Sequence, residues 1–343
     1  MELSRRHLLS GLGLGALSTG LSGGVSTRAH ADDFYQGKTL TVIIGFAPGG
    51  GVDTTARVVA KHLARSIPGQ PALVVQNMEG AAGLIAANHI DRRVTPDGLT
   101  LAVPGRSWFV EGITRNPSAT FDSTRLSYIG APGVANSLLY IRPDTGIGSF
   151  EDLKSSKRTI TFGSLGSTTP TGMVPRWLGI ATGASIKVIY GSVSTARVLL
   201  AIEQGELDAV FTNEDSFSRR QDLLQKKIVV PILQNRSALP GLPLLRNVIP
   251  AEHWPLLNVV MSLENFGLPF VGPRGIPVER VEVLRKAFAA LFEDKEYQAD
   301  AARVHQPIIP PIDGAKLASM MNELSATTTA DIAAAYRRLG GAK

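Results

Sequence analysis

The chain has 343 residues, 44% of them hydrophobic, with 35 lysines and arginines against 29 acids, and it contains no cysteine. That composition excludes disulfide staples, thiolate metal sites, a cysteine nucleophile and a lipid-modified N-terminal cysteine, so the fold rests on its own core, which a chain of this size can build as one large or two medium domains. The formal charge of +6 is mild and its lysines and arginines are scattered, which argues against a nucleic-acid partner and leaves a modest attraction for small acids.

The first 31 residues, MELSRRHLLSGLGLGALSTGLSGGVSTRAHA, read as an export leader. A weakly apolar run from Leu8 to Leu21 precedes an Ala29-His30-Ala31 cleavage site. The run is laced with glycine and shorter than the roughly 20 residues of a spanning helix, so no retained anchor is expected. Arg5 and Arg6 resemble a twin-arginine signal, with Leu8 where phenylalanine is usual and Ser10 where lysine is common. The alternative is an ordinary secretory signal that holds two arginines. Either way the mature chain is expected to begin at Asp32 and to work outside the cytoplasm.

Beyond the leader, runs rich in valine and isoleucine predict strands at Thr39–Phe46, Ala72–Asn77, Leu99–Pro104, Ser137–Pro143, Thr159–Ser164, Ile186–Gly191, Asp208–Asn213 and Lys227–Leu233. Helical spacing fills most of the gaps. In the first of these gaps Ala56, Val59, Ala60, Leu63 and Ile67 share one face, while Arg57, Lys61 and Arg65 form a solvated basic stripe on another. The last third is mainly helical, at Pro277–Glu293 and Asp313–Leu339. Neither a low-complexity linker nor a fixed-period repeat is present. The alternation predicts an α/β fold with largely parallel sheets. So many strands divide into two lobes: residues 32–131 with 230–343 form lobe I, and residues 132–229 form lobe II. The crossing falls near Leu126–Gly133 and the return at Lys227–Leu233, which makes a two-strand hinge beside a ligand cleft.

Ligands sit at the carboxyl ends of parallel strands, so the loops there carry the chemistry. In lobe I these are Ala47–Gly51 with Asp53 at the helix start, Asn77–Gly83, and Pro104–Phe109, which holds Arg106, Ser107 and Trp108. In lobe II they are Gly163–Gly172 and Tyr190–Thr195. One loop in each lobe joins a strand end, glycines and a helix N-terminus, where unpaired N–H groups and the helix dipole hold a carboxylate or phosphate. Nucleotide is disfavoured, because GFAPGGG lacks the Gly-Lys-Ser/Thr ending and no Gly-x-Gly-x-x-Gly follows a strand. Hydrolase signatures are missing as well: there is no Gly-x-Ser-x-Gly elbow and no His-Glu-x-x-His. His62, His89, His253 and His305 read as satisfied or solvated, so neither a metal nor a cofactor is called for. Asp53 either caps its helix or bonds a ligand's amine or hydroxyl. Arg106 either pairs with a second carboxylate or faces solvent, and Trp108 either floors a flat apolar ligand or packs beneath its loop.

The segments FAPGGGVDTTARVVAKHL, NMEGAAGLIAANHI, TPDGLTLAV, ITFGSLGSTTPTGMVPRWL, VIYGSVSTARVLLAIEQGELDAVF and RSALPGLPLL occur in one order along the mature chain. In order and spacing they resemble the Bug-type (TctC-like) periplasmic receptors of tripartite tricarboxylate transporters. The resemblance implies a two-lobed type II periplasmic-binding fold that closes on an organic carboxylate and delivers it, as a monomer, to two integral membrane subunits. It implies a grip by Pro48, Gly49, Gly50 and Gly51 with Ser164, Gly166, Ser167 and Thr168, and a second wall of Tyr190, Gly191 and Ser192. Asn77 ends the second strand of the same site. Met78 and Glu79 stand where that family often has Arg-Pro, and Arg106, Ser107 and Trp108 occupy a segment it usually keeps poor in charge, so the far end of the ligand is read there. A dicarboxylate or an aromatic carboxylate fits that reading. An exported enzyme using Asp53, Glu79 or Asp215, and a sensory module, are the competing functions.

Overall fold

The computed structural model describes residues 34–341 except 135, 193, 218, 219, 237, 238 and 307. The leader therefore lies outside the described residues, as does the side chain of Asp215. Among the described residues eleven strands are seen: β1 (Thr39–Ile44), β2 (Ala72–Asn77), β3 (Thr100–Val103), β4 (Ser127–Ala131), β5 (Ser137–Ile141), β6 (Ile160–Gly163), β7 (Ile186–Ile189), β8 (Ala209–Asn213), β9 (Val230–Gln234), β10 (Phe270–Gly272) and β11 (Ile312–Asp313). The longer helices are α1 (Gly51–Ser66), α2 (Leu84–Arg93), α3 (Pro170–Thr182), α4 (Thr195–Glu203), α5 (Trp254–Asn265), α6 (Val278–Leu291), α7 (Lys295–Arg303), α8 (Gly314–Thr327) and α9 (Ala330–Leu339). Among the described residues no helix is long and apolar enough to cross a membrane.

The strands form two sheets, ordered β11-β4-β10-β3-β1-β2 and β7-β6-β8-β5-β9. Read from the β2 and β7 edges, the two repeat one pattern. A strand lies between two parallel partners, β1 between β2 and β3 and β6 between β7 and β8. An antiparallel strand follows, β10 in the first sheet and β5 in the second. These antiparallel strands depart from a largely parallel reading, and the crossings explain them. β5 is the first strand after the chain leaves the first sheet, and β10 the first after it comes back, so each enters its sheet from the end opposite to the βα units. β9 pairs with β5 in the second sheet. The return, read from the sequence at Lys227–Leu233, is therefore made after Gln234.

The two crossings are tied to each other. The buried Asn136 amide donates to Gln234 Oε1 at 3.3 Å and its oxygen accepts from Arg236 N at 3.0 Å. Ser137 and Asn235 exchange two bonds, at 2.8 and 3.0 Å. The buried Glu264 of α5 accepts from the Ser137 hydroxyl. Both polar atoms of the Asn136 amide are satisfied by the other crossing, as burial demands.

The core is apolar and largely continuous. Val42, Ile44, Val59 and Leu63 pack with Leu284 and Phe288 on one face of the first sheet. A second cluster runs from Ala102, Trp108 and Tyr128 through Leu257, Val260 and Leu263 of α5 to Leu139, Phe162 and Trp177 of the second sheet and its helix. The C-terminal segment, expected as one helix over Asp313–Leu339, is two. Thr327, Thr328 and Thr329 break it: the Thr328 hydroxyl donates to Leu324 O at 2.6 Å, and Thr329 caps α9 by accepting from Ile332 N. Short hydroxyl side chains compete with the helix for its own backbone, which ends one helix and starts the next.

Helix α9 touches both halves. Arg337 donates to Thr114 O beyond the short helix Trp108–Ile113, while Arg176 of α3 donates to Arg338 O at 3.4 Å. Beneath this contact Glu111 is buried. Burial pushes its carboxyl pKa up, against the opposing hydrogen bond from Asn116 and the charge of Arg337. A carboxyl whose folded pKa exceeds its unfolded value binds more protons when folded, so it adds stability as pH falls through the folded pKa toward the ordinary carboxylate value of about 4. Glu111→Gln is expected to flatten that part of the stability profile and to leave the protein at least as stable at pH 7, as measured by urea unfolding from pH 4 to 8.

Candidate functional site

The three strand-end loops of the first sheet meet at backbone contact. A Cβ on Gly83, whose φ is +93°, would lie 1.6 Å from Pro104 O, and one on Gly45 would lie 2.7 Å from the same oxygen. Only glycine permits that approach. Gly105 likewise lies against the Phe46 ring, where a Cβ would come within 2.4 Å of a ring carbon. The β1, β2 and β3 ends therefore form one surface.

On that surface the loop before α1 is shaped by a buried acid. Asp53 is 3% exposed, and its carboxylate accepts from Gly49 N at 2.9 Å, Arg57 Nε at 2.9 Å and Asn77 Nδ2 at 2.7 Å. Asn77 also donates to Phe46 O at 2.8 Å and accepts from Arg57 Nη2 at 2.6 Å. Burial raises the Asp53 pKa, but the bonds from Arg57, Asn77 and Gly49 outweigh it and hold the group below the usual carboxylate range. Gly50 opens α1 with no side-chain cap. The N–H groups of Gly50 and Gly51 make no hydrogen bond to other described residues, and the exposed Pro48 stands in the same loop.

The matching device in the second sheet lies between β6 and α3. Ser164 is fully buried. Its Oγ accepts from Gly166 N at 3.2 Å and lies 3.1 Å from Thr171 Oγ1, while Thr169 Oγ1 donates to Gly166 O at 2.8 Å. Thr169 opens α3 with no side-chain cap hydrogen bond. Ser167 and Thr168, half-buried at the tip, have free N–H and hydroxyl groups among the described residues. Tyr190 is 42% exposed, and its ring edge lies beside the first turn of α3, 3.2 Å from where a Gly172 Cβ would stand. Ser192 N donates to Ser164 O at 3.3 Å, which holds the Tyr190–Ser192 loop to the same wall, with Gly191 at φ +97° making the turn. No hydrogen bond or ion pair among the described residues joins the first-sheet loops to those of the second.

Several expected contact residues thus point inward. Asp53, Asn77 and Ser164 spend their polar groups shaping the loops, and Ser107 is 4% exposed. Trp108 corrects the idea of a ligand floor: it is fully buried and packs against Phe109, Phe121 and Tyr128. The sequence reading also missed Arg57, assigned to the solvated stripe. Its place four residues after Asp53 on a helix was the available signal. Thr169 and Thr171 were missed too, since a capping threonine and a loop-bracing one look alike in sequence. Among the described residues no group of histidines and acids could hold a metal ion.

The model of the tripartite tricarboxylate transporter family receptor (TctC) matches residues 55–289, which hold the second sheet, β2, β3, β4 and β10 of the first, and the loops described above other than the glycine loop before α1. The chain belongs to that family. One relative is the UPF0065 protein in the tcbD-tcbE intergenic region of Pseudomonas sp. strain P51, 26% identical over 302 residues, covering 84% of this chain and 83% of that one. Among solved structures, MatC from Rhodopseudomonas palustris with bound malate aligns at TM-score 0.62 and 18% identity, over 86% of this chain and 99% of its own. R. palustris Rpa4515 with adipate aligns at TM-score 0.61 and 18% identity, over 89% and 97%. The chain is a solute-binding receptor of this family with the two-lobed α/β fold of periplasmic binding proteins.

In this receptor Trp108→Ala should cost about 3–5 kcal/mol of stability through the cavity it leaves, read by chemical denaturation. Asp53→Ala should cost about 1–3 kcal/mol, because it strands the Asn77 amide and the Gly49 N–H, and Asp53→Asn less. Arg57 is partly exposed and can re-solvate, which keeps the value below that of a fully buried pair.

Proposed function

We propose that the receptor captures an organic carboxylate between its two lobes in the periplasm and passes it unchanged to two integral membrane subunits. The observation that carries this reading is the pair of glycine loops running into helix starts without a side-chain cap, one from each sheet, whose N–H groups at Gly50 and Gly51 and at Ser167 and Thr168 are unpaired among the described residues. A helix end contributes roughly 0.3–1 kcal/mol toward an anion when exposed and up to about 2 when partly buried. Hydrogen bonds to a charged group add about 1.5–3 kcal/mol each. Two ends closing on one carboxylate could reach about 8 kcal/mol, which is micromolar binding, without a buried lysine. The malate and adipate held by the two structural neighbours are small organic acids of the same kind. Pro48, Gly50, Gly51, Ser167 and Thr168 make the grip, Tyr190 and Gly191 the second wall, and no catalytic residue takes part. The protein works as a monomer, exported by its leader and cleaved after Ala31.

A thermal-shift screen of organic acids on the mature protein tests this. Stabilisation by one class of carboxylate, with the acid recovered intact from the complex, is the expected outcome. A chemically altered acid would make the protein an enzyme.

A further inference from the structure

Residues Pro104, Gly105 and Ser107 are buried at the end of β3, and Arg106 alone sends its side chain out of that turn, half-buried. Every other described arginine or lysine that is not exposed has a partner: Arg142 on Asp144, Arg176 on Arg338 O, Arg220 on Glu203, Arg274 on Asp91, Arg280 on Asp97 O, Arg285 on Tyr128 O and Arg337 on Thr114 O. Arg106 has no hydrogen bond, ion pair or ring contact with any described residue. A guanidinium that gives up part of its hydration without gaining an acceptor is costly to keep, and its planar fork suits a carboxylate held by two parallel bonds. Its position is equally specific. Gly105 lies against the Phe46 ring, and Phe46 O is bonded to Asn77, so Arg106 stands beside the glycine loop on the surface where β1, β2 and β3 end.

We infer that Arg106 is the specificity-determining residue of the cleft: it takes a second anionic group of a ligand whose first carboxylate lies at the Gly50–Gly51 helix start, and so selects dianionic over monoanionic acids. This rests on the carboxylate-receptor reading and adds to it a side-chain charge on the same lobe as the glycine loop. Both anionic ends then bind lobe I, and lobe II closes over a ligand already held there. The nearby carboxylates do not compete for the guanidinium. Asp53 is occupied by Arg57 and Asn77, and Glu79 is exposed and makes no ion pair among the described residues.

The test uses the mature protein and calorimetry with succinate, malate and adipate, each set against a monocarboxylate of equal chain length: butyrate for the first two and hexanoate for adipate. At least one diacid should bind tenfold or more tightly than its monoacid, with that preference falling as salt rises. Arg106→Gln should remove the preference and leave the monoacid affinity within twofold, while Arg106→Lys should restore part of it. The inference is overturned if wild type binds diacid and monoacid equally, or if Arg106→Gln weakens both alike. A melting temperature for each variant separates loss of fold from loss of selectivity. Binding by none of these acids, or by other acid classes in the wider screen, removes the inference, and only failure of the whole screen removes the receptor reading with it.

Discussion

The hydrogen-bonded knot at Asn136 sets what the molecule can do. Two chain segments pass between the sheets, and the buried amide of Asn136 on the first is bonded to Gln234 and Arg236 on the second. Two crossings fixed to each other act as one hinge, since neither can rotate without carrying the other. The same constraint sets the sheet order, because β5 and β10 follow the crossings and enter their sheets antiparallel to their neighbours. It also places both parallel triplets, β2-β1-β3 and β7-β6-β8, with a glycine loop at the end of the central strand. The repeated topology is therefore what supplies two equivalent glycine loops, each running into a helix start without a side-chain cap, in one chain.

Those two starts are equivalent in geometry and unequal in charge. In lobe I, Asp53 uses the Gly49 N–H and neutralises Arg57, so the loop is fixed in shape before any ligand arrives, and one of its amides is already occupied. In lobe II, Ser164, Thr169 and Thr171 do the bracing with hydroxyls alone. A loop braced from within loses little conformational entropy when it binds, which is where preorganisation adds affinity. Asp53, Ser164 and Thr171 are buried by this bracing, and the backbone stretches between the bracing residues keep their N–H groups unpaired among the described residues.

This division explains what could be read from the sequence. Strands announced themselves as valine and isoleucine runs, and Ala72–Asn77 matches to the residue. The glycine loops were legible because glycine, a following helix and a strand end are all local features. Burial is not local. Trp108 and Ser164 stand in the right loops, and only the packing of Tyr128 and Phe121, or the position of Thr171, decides that they face inward. The direction of β10 was hidden for the same reason: the short stretch Phe270–Gly272 carries no mark of which way it runs, and the long excursion before it, which includes α5, is set by tertiary contacts.

Helix α9 adds a consequence for closure. It packs with α3 and α5, bonds Thr114 on one side and Arg176 on the other, and its last turn ends at Gly340, whose Cβ position is 3.3 Å from the Thr168 methyl. Thr168 stands at the tip of the second sheet's glycine loop, so that loop touches a helix that packs on α3 and α5 and reaches the first half through Arg337. A rotation of lobe II about the Asn136 knot either keeps the packing of α9 on α3 and strains the Arg337–Thr114 bond, or keeps that bond and shears α9 along α3. Either way α9 couples the second sheet's glycine loop to the first half of the molecule through one side chain, Arg337.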